Sequence, residues 1–152
     1  MRVLIQRCLE ANCKVEGKIV GEIKKGFVVF VGFHKDDSIN DLEYLFKKVS
    51  NIRIFENEEG KIHYSIQDIK GEILLIPQFT LYANTKKGNR PDFLESMPPQ
   101  QAKEFFYSFV DMFKQRTSLK IETGVFGADM KIYVLNDGPF SIFIDSSQRV
   151  GK

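Results

Sequence analysis

The chain has 152 residues, 43% of them apolar, and its 22 basic side chains are nearly balanced by 20 acidic ones, for a net charge of +2. That length suits a single domain over 1–152 with a substantial core and is too short for two domains of ordinary size. No run approaches the roughly 20 apolar residues of a membrane helix, which argues against membrane association, and the overall charge does not mark a nucleic-acid binder.

The opening Met1-Arg2-Val3-Leu4-Ile5-Gln6-Arg7 is too soon interrupted for a signal peptide, so a cytoplasmic location is expected. Alternation predicts strands near 2–8, 12–16 and 18–24. The apolar run from Phe27 to Phe33 is then expected as a central strand. Cys8 and Cys13 have no metal-ligand or redox-motif spacing and read as reduced structural thiols. Ser38 with Asp41 resembles a capping box, and Ile39, Leu42, Leu45, Phe46 and Val49 share one face of a helix expected over 38–50. Arg53 to Phe55 and Ile62 to Tyr64 flank the turn Glu58-Glu59-Gly60 as a hairpin, and Ile73 to Tyr82 follows as a strong strand. Pro98 and Pro99 suit a helix start, and Ala102, Phe105, Phe106, Phe109, Val110 and Phe113 recur at helical spacing up to about Thr117. Strand patterning returns at 120–123, 130–135 and 140–145, and residues 146–152 are expected to fray. The fold expected is α+β: curved, largely antiparallel sheets forming a partly closed barrel with two main helices.

Two segments carry chemistry. In Pro77-Gln78-Phe79-Thr80-Leu81, Pro77 ends the apolar run Ile73 to Ile76 and marks where backbone amides leave the sheet ladder. Free amides beside a hydroxyl make a candidate reaction site. Asn136-Asp137-Gly138, between two strand-like runs, reads by itself as a tight hairpin turn, but Pro139 supplies no amide and makes Gly138-Pro139 a candidate cis bond. Lys86, Lys87 and Arg90 follow the first segment closely. They read as a solvated loop or as phosphate contacts. His34, His63, Asp36-Asp37 and Glu58-Glu59 read as structural or solvated groups without a catalytic partner motif.

Over residues 1–145 the chain resembles the D-aminoacyl-tRNA deacylase family. The likeness rests on Ile5-Gln6-Arg7, Gln78-Phe79-Thr80-Leu81, Gly88 with Arg90-Pro91, Phe126-Gly127-Ala128 with Met130, and Asn136-Asp137-Gly138-Pro139, which agree in order and spacing. The resemblance implies a homodimer acting on aminoacyl-tRNA without metal or cofactor. In it, the cis Gly138-Pro139 segment of one subunit enters the site around Thr80 of the other. It implies that the Gly138 and Pro139 carbonyls meet the substrate's α-ammonium and that Arg7 holds this segment. It also implies that Gln78, Phe79 and Thr80 form the reaction segment, with Phe126, Gly127, Ala128 and Met130 lining the substrate site. Glycine, having no side chain to reject, is then expected to be hydrolysed too.

The chain departs from the family pattern at Pro77, where serine is usual, and at Phe140-Ser141, where Val-Thr is usual. Pro77 lacks an amide, so a mechanism using that donor fails here, whereas one using the Phe79 and Thr80 amides survives. A Pro-Gln-Ala-Thr-Leu segment belongs to a related branch that removes L-alanine from tRNA, which makes that activity the alternative. Phe79 and Asn136-Asp137 favour the D-specific branch. A non-catalytic RNA-binding module is the alternative of a different class.

Overall fold

The computed structural model describes residues 1–151. Its strands are β1 (Arg2–Val15), β2 (Lys18–Ile23), β3 (Gly26–Gly32), β4 (Phe55–Glu56), β5 (Ile62–Tyr64), β6 (Glu72–Pro77), β7 (Lys120–Thr123) and β8 (Lys131–Asp145). Two helices, α1 (Ile39–Asn51) and α2 (Pro99–Arg116), complete the main elements. β2 and β3 pair with successive stretches of β1, and β8 runs antiparallel along β1; β3, β6 and β7 then continue as parallel neighbours. The sheet is therefore mixed, antiparallel around β1 and parallel through β6, with β3 central as expected. It nearly closes on itself. Gly21 of β2 lies against the Thr123 carbonyl of β7, yet no ladder joins those strands, which leaves an unsealed seam.

Local rules account for both helices. The Ser38 side chain accepts from the Asn40 amide, and the Asp41 carboxylate accepts from the Ser38 amide. Pro99 opens α2, where a missing N–H costs nothing. The aromatic stripe of α2 is core, as its spacing predicts: Phe106, Phe109 and Phe113 are fully buried with Leu42, Leu45 and Val49 of α1 against Val29, Ile73 and Leu75 of the sheet. Each such side chain contributes about 1.5–3 kcal/mol. A second cluster, including Cys8, Cys13, Val28, Leu74 and Ile76, fills the other face. Burial pushes the Cys8 thiol up to about 12, in keeping with a structural thiol.

Five expectations are corrected. The strands near 2–8 and 12–16 are one strand, β1, with register irregularities that let it bend from β3 to β2. The strand expected over 73–82 ends at Pro77, and Phe79–Tyr82 form a 3-10 turn. Asn136-Asp137-Gly138 does not reverse the chain: β8 is continuous through it because the runs on both sides pair with β1 in the same sense. The end is anchored as far as Arg149, and the expectation for Lys152 lies outside the described residues. The Ser146 amide donates to the Met1 carbonyl, and both the Ser146 hydroxyl and the Arg149 guanidinium donate to Asp41. Asp37, expected in a solvated turn, is also engaged: its buried carboxylate pairs with the Met1 amino group at 2.6 Å. No helix among the described residues is long and apolar enough to cross a membrane.

Candidate active site

The proline that ends β6 sets up the site. Pro77 is the last residue of β6 to pair with β3, the Gln78 amide makes one more bond to the Val31 carbonyl at 2.7 Å, and the chain then tightens into the 3-10 turn Phe79–Tyr82. The first amides of such a turn have no intrahelical partner. Those of Phe79 and Thr80 have no hydrogen-bond acceptor among the described residues, whereas the Leu81 and Ala83 amides close onto the Gln78 and Thr80 carbonyls. The Gln78 side-chain amide donates to the Thr80 hydroxyl. Gly32, at the end of β3, lets the turn approach this closely: a Cβ there would sit 2.9 Å from the Gln78 carbonyl oxygen and 3.0 Å from Leu81 Cβ. Gly32→Ala is therefore expected to push the turn off β3 and cut turnover by about 10-fold or more while the protein still folds, read by kcat beside a thermal melt.

The turn borders a cavity of about 620 Å³. Gln78 and Phe79 line one side, Phe93, Ser96, Met97 and the Pro98-Pro99 helix start another, and Phe126, Gly127, Ala128 and Met130 a third. The structure thus gathers six of the expected site residues, Gln78, Phe79, Phe126, Gly127, Ala128 and Met130, around one opening, with Thr80 immediately after Phe79 in the chain. Phe79 is 59% exposed at the mouth and meets the edge of Phe93 at 4.9 Å between ring centres. Lys86, Lys87 and Arg90 are exposed on a loop closed by paired backbone bonds between Asn84 and Asp92, one residue before Phe93. The basic loop and the cavity are adjacent.

Arg7, Gly138 and Pro139 form a second group elsewhere. Gln6 pairs with Ser141 but Cys8 with Asn136, so β8 takes five steps where β1 takes two, and the surplus residues bulge outward. Asn136 fastens the bulge: its side-chain oxygen accepts from the Phe140 amide at 2.7 Å, and its nitrogen donates to the Ser141 hydroxyl at 3.0 Å. Arg7 is 6% exposed; its Nε donates to the Asp137 carbonyl at 3.1 Å, its Nη1 to the Ile54 carbonyl at 2.8 Å, and its guanidinium lies over the Phe140 ring. Gly138 has φ +138, and a Cβ there would stand 3.2 Å from Phe140 and 3.4 Å from Arg7 Nη2. The Gly138-Pro139 bond is cis, and both residues are exposed. This group does not line the cavity of its own chain. Arg7 pairs with Phe27, and Phe27 with Ile73, about 16 Å along β6 from Gln78.

The model of the family described as D-Tyr-tRNA(Tyr) deacylase matches residues 4–145. The chain belongs to that family. Proteins named D-aminoacyl-tRNA deacylase from Clostridium novyi (strain NT) and Aquifex aeolicus (strain VF5) are 49% and 51% identical to it over 148 residues, covering 97% of this chain and 99% of each relative. The solved structure of a "c-Myc DNA Unwinding Element Binding Protein" superposes with a TM-score of 0.91 at 37% identity, over 95% of this chain and 98% of that one. A structure described as a probable eukaryotic D-amino acid tRNA deacylase, at 18% identity and a TM-score of 0.76, shares the fold.

For this member of the D-Tyr-tRNA(Tyr) deacylase family, sequence reasoning missed Phe93, Ser96 and Met97 on the cavity wall and Gly32 beneath the turn. Only the nearness of Phe93 to the basic loop could have suggested it. The histidines lie off the cavity: His34 Nε2 is 2.8 Å from Glu95 with its ring against Tyr82, and His63 packs on Tyr64. Among the described residues no cluster of three His, Cys, Asp or Glu side chains is placed to hold a metal ion.

Proposed function

We propose that this protein hydrolyses the ester joining a D-amino acid to the terminal ribose of tRNA, releasing both, and that it acts as a homodimer. Membership of the deacylase family gives the reaction class, and one observation carries the assignment to a site: two unpartnered backbone amides, at Phe79 and Thr80, beside the largely apolar cavity of about 620 Å³. Amides held in that way suit an oxyanion, since they stabilise the charge that develops on the ester carbonyl as water adds. Phe79 and Phe93 offer aromatic faces to the terminal base, with Lys86, Lys87 and Arg90 beside them for phosphates.

The dimer is supported by what a single chain leaves open. β8 pairs only with β1 among the described residues, and its outer face carries exposed Tyr133, Leu135 and Phe143 beside Gly138 and Pro139. A long strand with such a face is suited to a second copy. In this reading the partner's bulge reaches the cavity, and the Gly138 and Pro139 carbonyls receive the α-ammonium. With ammonium, carbonyl and ribose fixed, an L side chain runs into the bulge, a D side chain points outward, and glycine has nothing to reject.

The decisive assay compares D-tyrosyl-, L-alanyl- and glycyl-tRNA. Fast loss of the D-ester and of glycine with L-alanyl-tRNA intact is expected; the reverse order would assign the chain to the L-alanine-directed branch, and binding without any turnover would make it an RNA-binding module. Replacing Lys86, Lys87 and Arg90 together by alanine is expected to weaken tRNA binding and flatten its salt dependence by about three phosphate contacts. An unchanged slope would remove those residues from the tRNA interface.

A further inference from the structure

The 3-10 turn Phe79–Tyr82 is fastened at its entry by the bond from the Gln78 amide to Val31, but it is too short to hold its own exit. The Leu81 carbonyl belongs to the group that a turn of this kind leaves without an internal donor, because the amide three residues on, that of Asn84, donates to the Asp92 carbonyl instead. That oxygen is met by Arg2, whose Nη1 donates to it at 2.8 Å. The same guanidinium donates from Nε to the Asp145 carboxylate at 2.9 Å and lies 4.4 Å from the centre of the Tyr82 ring and 5.8 Å from that of Phe143. Arg2 pairs in the sheet with both Gly32 and Asp145, so it stands level with the place where the turn rests on β3.

We infer that Arg2 is a positioning residue for the reaction: it locks the exit of the Phe79–Tyr82 turn to β8 and so fixes the direction of the Phe79 and Thr80 amides. The guanidinium suits this task because its planar fork satisfies a carbonyl and a carboxylate at once while its flat face covers Tyr82. A lysine at this position would bring its donors on a single nitrogen, without the spaced fork or the flat face over Tyr82. The consequence concerns the rate of the chemical step rather than substrate binding, since the amides act on charge that appears only as the ester carbonyl is attacked. This inference rests on the proposed reading of the turn as the oxyanion donor.

The test uses Arg2→Met, which keeps a stem to cover Tyr82 but removes every donor, with Arg2→Lys as the conservative partner. Hydrolysis of D-tyrosyl-tRNA is measured alongside amide hydrogen exchange at Leu81 and Ala83, whose bonds close the turn. For Arg2→Met, kcat is expected to fall about 5- to 30-fold with KM within about twofold, and exchange at both amides to quicken about fivefold or more; Arg2→Lys should recover part of each. Wild-type exchange in Arg2→Met, or a loss confined to KM or to melting temperature, would overturn the inference. Failure of the functional reading looks different: the unaltered protein would leave D-tyrosyl-tRNA intact, whatever exchange shows.

Discussion

A D-aminoacyl-tRNA whose terminal ribose lacks the 2′-hydroxyl is expected to be hydrolysed at least about 100-fold more slowly than the natural substrate, whereas Thr80→Ala is expected to cost less than about 10-fold. The contrast follows from what surrounds the threonine. Its hydroxyl is met by the Gln78 side-chain amide, which donates a hydrogen bond and is no base. The histidines that could act as bases are engaged elsewhere, His34 with Glu95 and His63 against Tyr64. An unactivated threonine hydroxyl is a poor nucleophile. Of the other polar side chains on the cavity wall, the Ser96 hydroxyl donates to the Phe79 carbonyl and the Asp129 carboxylate is paired with Lys131 at 2.8 Å, which leaves the ribose hydroxyl of the substrate itself, adjacent to the bond being cleaved and able to orient or relay a proton for the attacking water. Single-turnover rates on ribo and 2′-deoxy termini, measured for both the unaltered protein and Thr80→Ala, separate the cases. A loss beyond about 100-fold in Thr80→Ala, with the deoxy substrate nearly unaffected, would give the chemistry to the side chain instead.

Arg7→Met is expected to lose about 3 kcal/mol of stability, roughly 6–12 °C in melting temperature, and most of the discrimination between D and L esters. The buried guanidinium donates to the Ile54 carbonyl in the interior and to the part-buried Asp137 carbonyl, so its removal strands the first acceptor, worth about 1–3 kcal/mol when left unsatisfied, and deprives the second of its donor. Phe140 also loses the cation over its ring. The selectivity loss follows because Asp137 immediately precedes Gly138: releasing its carbonyl frees the bulge that is proposed to face the partner's substrate. Arg7→Lys is not expected to rescue, because a single ammonium cannot reproduce the fork that spans both carbonyls. The measurement is the ratio of D- to L-ester hydrolysis at a temperature where the variant remains folded. A wild-type ratio there would detach Arg7 from chiral choice and leave it a role in stability alone.

Much of the architecture was readable because its causes are local. The Ser38–Asp41 box and the stripes of α1 and α2 act within a few residues, and the structure repeats them nearly to the residue. The long strands were harder. A glycine at positive φ serves a hairpin tip and a bulge equally well, and the choice at Gly138 is made by β1, more than a hundred residues away, which pairs with both sides of the break. The strand expected beyond Pro77 failed for a related reason: Phe79-Thr80-Leu81-Tyr82 alternates like a strand, but Val31 supplies the last ladder bond at Gln78 and nothing continues it. Around the cavity, Gln78-Phe79-Thr80-Leu81 and Phe126-Gly127-Ala128 stood out by motif, whereas Phe93, Ser96, Met97 and Gly32 carry no pattern of their own. They matter only through where α2 and β3 bring them, which is information the linear order does not hold.

The continuity of β8 bears on how handedness can be sensed at all. A loop at the end of a hairpin is tethered at one side and gives way when something presses on it, so a misfit would be absorbed by a small displacement. Here the protruding residues are stapled to β1 above and below, as the middle of a taut cable is held by both its moorings. A peptide group mounted in that fashion resists being pushed, so in the proposed dimer the mirror-image substrate would meet a barrier whose height is set by atomic overlap rather than by the softness of a turn.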